Sequence, residues 1–286
     1  MTSADMHQEA ILETSAPPGG HAAGPGVLDH LRELYAYREL LLMWTVREIR
    51  IRYKQSVLGA GWAVLQPVCL MLVFTAVFSY FARVPTGDVP YPIFSYTGLL
   101  PWTFLATSIS FAVPAMMNNM QLISKIYFPR EILPLACVIV AFVDLLVASL
   151  VFGGIAFYYD VRLHAGIFWV PMLLLLQTML ILGVAFWLSA LIVSYRDLRF
   201  VVPLGVQIWM YASPIIYPMS LVPEHLQPFY ALNPMAGLVT AYREVLLGSG
   251  RPDPGQLATA AIISFVLLLS GYAYFKRAET EFADII

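Results

Sequence analysis

Residues 132–159 read ILPLACVIVAFVDLLVASLVFGGIAFYY, an apolar run whose one formal charge is Asp144. A helix needs about 20 apolar residues to cross a hydrocarbon core roughly 30 Å thick, and this run exceeds that. Backbone N–H and C=O groups find no water in lipid, so a spanning segment of this kind must be helical. The composition of the whole chain agrees. Of its 286 residues 59% are hydrophobic and 12% charged, whereas soluble domains run at about half apolar and a quarter charged. The net charge of −2 excludes a basic nucleic-acid binder, and no nucleic-acid partner is expected. Cys69 and Cys137 both lie in apolar runs, which leaves neither a disulfide framework nor a zinc site.

Further apolar runs at 62–81, 92–117, 167–193, 200–217 and 257–274 predict an all-α polytopic membrane protein with six transmembrane helices. Pro101 and Pro114 in the second run, and Pro203 and Pro214 in the fifth, predict kinked or broken helices. Upstream, residues 1–26 are polar and Gly/Pro-rich without a basic n-region or an apolar core, so they read as a disordered cytoplasmic tail rather than a secretory signal. Residues 27–60 read as an amphipathic interface helix or a pair of them. Leu42, Val46, Ile49 and Tyr53 form one stripe, Arg47, Arg50 and Lys54 flank it, and Arg52 falls on the other side. Residues 61–276 then form the six-span domain, followed by a short cytoplasmic tail at 277–286.

Charge bias sets the orientation. Arg32, Arg38, Arg47, Arg50, Arg52, Lys54, Lys125, Arg130, Arg196, Arg199, Lys276 and Arg277 fall on one side, and Arg83, Arg162, Arg243 and Arg251 on the other. The positive-inside rule therefore places both termini in the cytoplasm, which suits an even number of spans. Between the last two spans, Asn233 as N-cap, Pro234 in the first turn and Gly248 as a stop predict a short external or re-entrant helix over 233–247. Arg243 and Glu244 on it are expected at the outer interface, where charge costs little.

Catalytic patterns are missing. None of the three lysines follows a glycine, which excludes a G-x-x-x-x-G-K-[ST] phosphate loop; G-x-S-x-G and H-E-x-x-H do not occur. The five histidines sit outside the spans at no metal-ligand spacing. Asp144, mid-span, requires a partner from another helix, with Gln177 and Gln207 as candidates; it can line a hydrated path or tie two helices together. Trp62, Trp169 and Trp187 fall near span ends, as belt residues do. Trp102 and Trp209 fall inside the proline-containing runs, where a ring can stack on a sugar face or pack between helices.

The segment Arg52-Tyr53-Lys54-Gln55-Ser56-Val57-Leu58-Gly59-Ala60-Gly61-Trp62, followed by Leu65-Gln66-Pro67, resembles the start of the first span in permease subunits of type-2 ABC polysaccharide exporters. The resemblance continues through Leu100-Pro101-Trp102-Thr103-Phe104, Leu122-Ile123-Ser124-Lys125-Ile126-Tyr127-Phe128-Pro129-Arg130, Leu232-Asn233-Pro234 and Tyr242-Arg243-Glu244-Val245-Leu246-Leu247-Gly248. It covers nearly everything from about residue 28 onward. It implies two permease copies paired with two copies of a separate nucleotide-binding subunit that holds ATP and Mg, the assembly exporting lipid-linked O-antigen, teichoic acid or capsule across the bacterial inner membrane. It implies no catalysis by this chain.

By the same resemblance, the 118–131 loop contacts the ATPase through Lys125, Ile126, Tyr127, Phe128, Pro129 and Arg130, with Phe128 in an apolar docking knob and Arg196 and Asp197 as a second contact. Arg47, Arg50, Arg52, Tyr53, Lys54, Gly59 and Trp62 would form the interface helix, in contact with membrane lipid, and the site where substrate is admitted. Trp102, Trp209, Tyr211 and Asp144 would line the glycan path, and Asn233, Pro234, Arg243 and Glu244 would belong to an external gate. An exporter of a drug or simple lipid shares the missing phosphate loop. A membrane glycosyl or acyl transferase needs two facing acids or histidines that the sequence lacks, and the lone Asp144 and absent repeats disfavour an ion-coupled carrier.

Overall fold

Apolar length dictates the architecture. The computed structural model describes residues 27–54, 56–126, 128–161, 165–248 and 250–285, and among these the regular elements are helical. The expected disordered tail at 1–26 lies outside them, as do Gln55 and Tyr127. Helix α1 (Val27–Ala36) belongs to a unit of its own ending at Tyr37, so the amphipathic stretch is a pair of helices. The second unit begins at Arg38 with α2 (Arg38–Tyr53). The expected tail at 277–286 is largely the end of a helix, which continues to Ile285.

Among the described residues, five helical stretches are long and apolar enough to cross a membrane: Gly59–Phe81, Tyr91–Asn118, Ile132–Tyr158, Ala165–Ser194 and Pro254–Glu279. The first contains α3 (Trp62–Phe74) and a π-helical turn over Thr75–Phe81. The others contain α4 (Tyr91–Asn118), α6 (Ile132–Tyr158), α7 (Val170–Ser194) and α11 (Pro254–Ile285). Short helices complete the chain: α5 (Met120–Ile123), α8 (Leu198–Tyr211), α9 (Gln227–Ala231) and α10 (Pro234–Leu246).

Two expectations about proline change. Helix α4 runs unbroken through Pro101 and Pro114. Proline frees a carbonyl in the preceding turn, and neighbouring helices can re-satisfy such disturbed backbone. The carbonyls that Pro101 and Pro114 free are those of Thr97 and Ser110, four residues back; α7 braces the same stretch of α4, with Gln177 Nε2 donating to the Pro101 carbonyl at 2.6 Å and Ser189 Oγ to that of Ala112 at 3.0 Å. The fifth expected span instead stops at Tyr211 after 14 residues, about 21 Å of helix and short of the hydrocarbon thickness. The chain turns over residues 212–217, where Pro214 cannot continue the ladder and α10 supplies other partners for the carbonyls.

Helix α4 is the most buried of the long helices and packs on α3, α6, α7 and α10. Helices α7 and α11 approach most closely at paired glycines: a Cβ on Gly183 would lie 2.6 Å from the Leu267 backbone, and one on Gly271 would collide with the Gly183 carbonyl. Small residues let spanning helices approach this closely, which in lipid replaces the missing hydrophobic drive. Outward faces stay apolar, as with Leu72 and Val73 on α3, Leu204 and Ile208 on α8, and Ile262 and Phe265 on α11.

Candidate functional site

Helix α2, expected to lie along a membrane interface, does not lie wholly on the surface: Trp44 and Thr45 are buried. Its end turns inward, and Gly59 at φ +51°, a left-handed conformation that glycine adopts without strain, redirects the chain into α3. Between the end of α2 and helices α3, α4 and α6 this leaves a cavity of about 220 Å³. Arg52, Tyr53, Trp62, Gln66, Thr103, Thr107, Phe111 and Asp144 line it.

Asp144 finds its partners here. Arg52 forms an ion pair with its carboxylate and the Tyr53 hydroxyl donates to the other oxygen. The expected partners Gln177 and Gln207 are not used. Gln177 donates to Pro101 and accepts from the Tyr242 hydroxyl at 3.0 Å. The guanidinium of Arg52 also lies 3.9 Å from the centre of the Phe111 ring. Side-chain exposure is 12% for Arg52 and 17% for Asp144, so each charge depends on the other for compensation. Burial, and then the Asp144 carboxylate, push the Tyr53 phenol up to about 12, so it is a proton donor at neutral pH.

The cavity therefore offers a neutralised ion pair, two threonine hydroxyls, a glutamine amide and aromatic edges. That set can hydrogen-bond a hydroxyl-rich ring and pack its C–H face. It contains no nucleophile with an adjacent base, and no group of three or more potential metal ligands occurs among the described residues. Thr103 and Thr107 are four residues apart on α4, and Phe111 follows at the same spacing. Spacing alone does not set this stripe apart in the sequence, because threonines are common in spanning helices.

Away from the cavity, Arg47, Arg50 and Lys54 share one outward surface of α2 and the residue that follows it. Arg50 and Lys54 are exposed beside Leu42, Met43 and Val46, a mixed basic and apolar surface. Arg47 lies 4.3 Å from the Trp44 ring centre and donates to Asn119 Oδ1 at 3.2 Å. In the 118–131 loop, Phe128 is only 4% exposed and stacks on Trp44 at 6.4 Å. Phe128 is thus no exposed knob, and Pro129 is buried beside it. Lys125 and Ile126 are exposed, Ile126 to 57%, as are Asn118, Gln121 and Ser124 among the loop's described residues. Arg196 and Asp197 are exposed in the turn between α7 and α8.

Neither Trp102 nor Trp209 lines this cavity; the two rings pack edge to face with centres 6.1 Å apart. Trp102 is buried, whereas Tyr211 is exposed. Trp209 Nε1 donates to Asn233 Oδ1 at 2.9 Å, and the same oxygen accepts from Met235 N at 3.1 Å, so Asn233 caps α10 as expected with Pro234 following.

Arg243 corrects the expectation of an interfacial charge. It is buried, its guanidinium donating to the carbonyls of Pro214 and Ile215 and lying 3.8 Å from the Phe94 ring centre. Burial lowers it to about 9, still a cation at neutral pH. Glu244 instead accepts from the Asp253 amide at 3.0 Å.

Residues 39–247 match the ABC-2 type transporter family. The chain belongs to the ABC-2 type transporter membrane family. An O-antigen export system permease protein RfbA of Myxococcus xanthus is 34% identical to this ABC-2 chain over 261 residues, covering 90% of the chain and 98% of the relative. A Klebsiella pneumoniae protein of the same name is 28% identical over 249 residues, with 87% and 95% covered. The polysialic acid transport protein KpsM of Escherichia coli is 23% identical over 246 residues, with 82% and 91% covered.

Proposed function

We propose that this chain is the membrane permease subunit of an ABC exporter that moves a lipid-linked polysaccharide across the bacterial cytoplasmic membrane. Two copies work with two copies of a nucleotide-binding subunit that holds ATP and Mg. The chain lacks a phosphate loop, and its relatives are named for O-antigen and polysialic acid transport, which supports both parts of the reading. The observation that carries it is the cavity joining Arg52, Tyr53 and Asp144 at the junction of the basic interface helix with the first span. Its mixture of paired charge, hydroxyls and rings matches the chemistry of a glycan better than that of a purely apolar cargo.

In this reading both termini face the cytoplasm, and Arg47, Arg50 and Lys54 rest on anionic headgroups. Lipid-linked glycan is admitted beside Tyr53, Gly59 and Trp62. ATP-driven movement of the partner acts on Lys125 and Ile126, with Arg196 and Asp197 as the second contact. The sugar chain then leaves along Trp209 and Tyr211 toward the turn that Asn233, Pro234 and Arg243 hold, beside Glu244.

The decisive experiment is purification in mild detergent followed by reconstitution. An equimolar ATPase and a bound lipid-linked glycan are expected, and vesicles should export glycan only with the ATPase and ATP present. Nucleotide hydrolysis or glycan movement by this chain alone would overturn the assignment.

A further inference from the structure

A buried charge network lies where the 118–131 loop meets the end of α11. Glu131, with a side chain 2% exposed, receives Lys276 Nζ at 2.8 Å. It is also 3.4 Å from the Tyr272 hydroxyl, which donates to it. Lys276 reaches Glu279 as well, at 3.0 Å, and Arg130 Nη1 donates to the Glu279 backbone carbonyl at 2.7 Å. Two successive loop residues are therefore clipped to one helix far away in sequence.

That helix has little freedom to slide. Beyond the Gly183 and Gly271 contact, the Trp187 and Tyr274 rings stack with centres 4.4 Å apart, and Phe275 is fully buried against Phe186 at 5.3 Å. A force on the loop thus meets an ionic clip and then a close-packed helix pair. Packed interiors transmit displacement rather than absorbing it.

We infer that Glu131 and Lys276 are positioning residues that make the 118–131 loop and the end of α11 one mechanical unit, so that a push on the loop moves the α7–α11 pair. This rests on the reading of the loop as the ATPase contact. Burying two charges is costly, and an apolar pair of similar size would hold a static joint at least as well. What the ionic pair adds is a directional link that fixes the loop's register on α11.

The test uses the intact complex with its ATPase in vesicles, following export and ATP hydrolysis separately. Glu131→Gln combined with Lys276→Met removes both charges and strands neither, so it should leave assembly and hydrolysis near normal and lower export at least about tenfold, the scale of energetic coupling between linked sites. In a background carrying Cys69→Ser and Cys137→Ala, Glu131→Cys with Lys276→Cys should show the same defect, and a short bis-maleimide bridging the two should restore most of the export. A merely structural loss would lower protein level and hydrolysis together. Normal export in the uncharged variants, or a bridge that leaves export at its uncrosslinked level or below, would overturn the inference. Should those variants not accumulate, Glu131→Asp keeps the charge but shortens its reach: reduced export at unchanged hydrolysis supports the link, and equal export removes it. Ile126→Asp separates the two readings. If it leaves ATPase association and export intact, the docking assignment itself fails, whatever the bridge does.

Discussion

Asp144 shows how much a single residue's meaning depends on its partners. A carboxylate in a long apolar run is expensive alone, and the pair with Arg52 offsets that cost. Asp144→Ala should lower the stability of the detergent-solubilised protein by about 3 kcal/mol, because it strands a mostly buried guanidinium. Adding Arg52→Met should recover much of this loss in thermal unfolding; strictly additive losses would mean the two side chains are not coupled. Tyr53 adds a pH signature. Its phenol is raised from 10.0 to about 12 in the folded protein, so its contribution to stability is complete below pH 10 and is lost as pH climbs through 12. Tyr53→Phe should remove that alkaline loss and lower stability by about 1–3 kcal/mol, evenly between pH 7 and 9, because Asp144 loses a donor; this is read by thermal unfolding across the pH range. Phe128 makes a sharper contrast with its neighbour. Phe128→Asp buries a carboxylate against Trp44 and should reduce the folded protein itself, whereas Ile126→Asp, at an exposed site, should leave folding intact and weaken ATPase association.

At the scale of elements, the turn after α8 depends on one contact that only a glycine permits. A Cβ on Gly98 would lie 2.7 Å from Arg243 Nη2 and 3.0 Å from the Ile215 carbonyl. Gly98→Ala should therefore displace the guanidinium from the turn and cost roughly 1–3 kcal/mol, as overpacking does, with increased protease sensitivity near residues 212–217; unchanged sensitivity would show that the turn holds without Arg243. The outward basic face of α2 makes a different prediction. Each Lys or Arg near an anionic leaflet contributes about 1 kcal/mol, so α2 amides should exchange more slowly in nanodiscs of anionic lipid than in zwitterionic ones. Replacing Arg50 and Lys54 by Gln should remove most of that difference.

For the whole molecule, hydrophobic length and positional signals carried far. The long apolar runs announced their helices, because a membrane leaves no other use for twenty uncharged residues, and Asn233-Pro234 announced the start of α10 through local capping chemistry. The absence of a phosphate loop and the residues shared with the exporter family were likewise readable in one dimension. Pairings between distant segments were not. Nothing local in 132–159 indicates that Asp144 meets Arg52, that Phe128 folds back onto Trp44, or that Glu131 reaches Lys276 near the other end of the chain. Helix formation answers to spacing and composition along a few turns. Which charge is neutralised, which ring is buried and where a spanning helix stops depend on what another helix presents across the gap, and only packing in three dimensions brings those groups together.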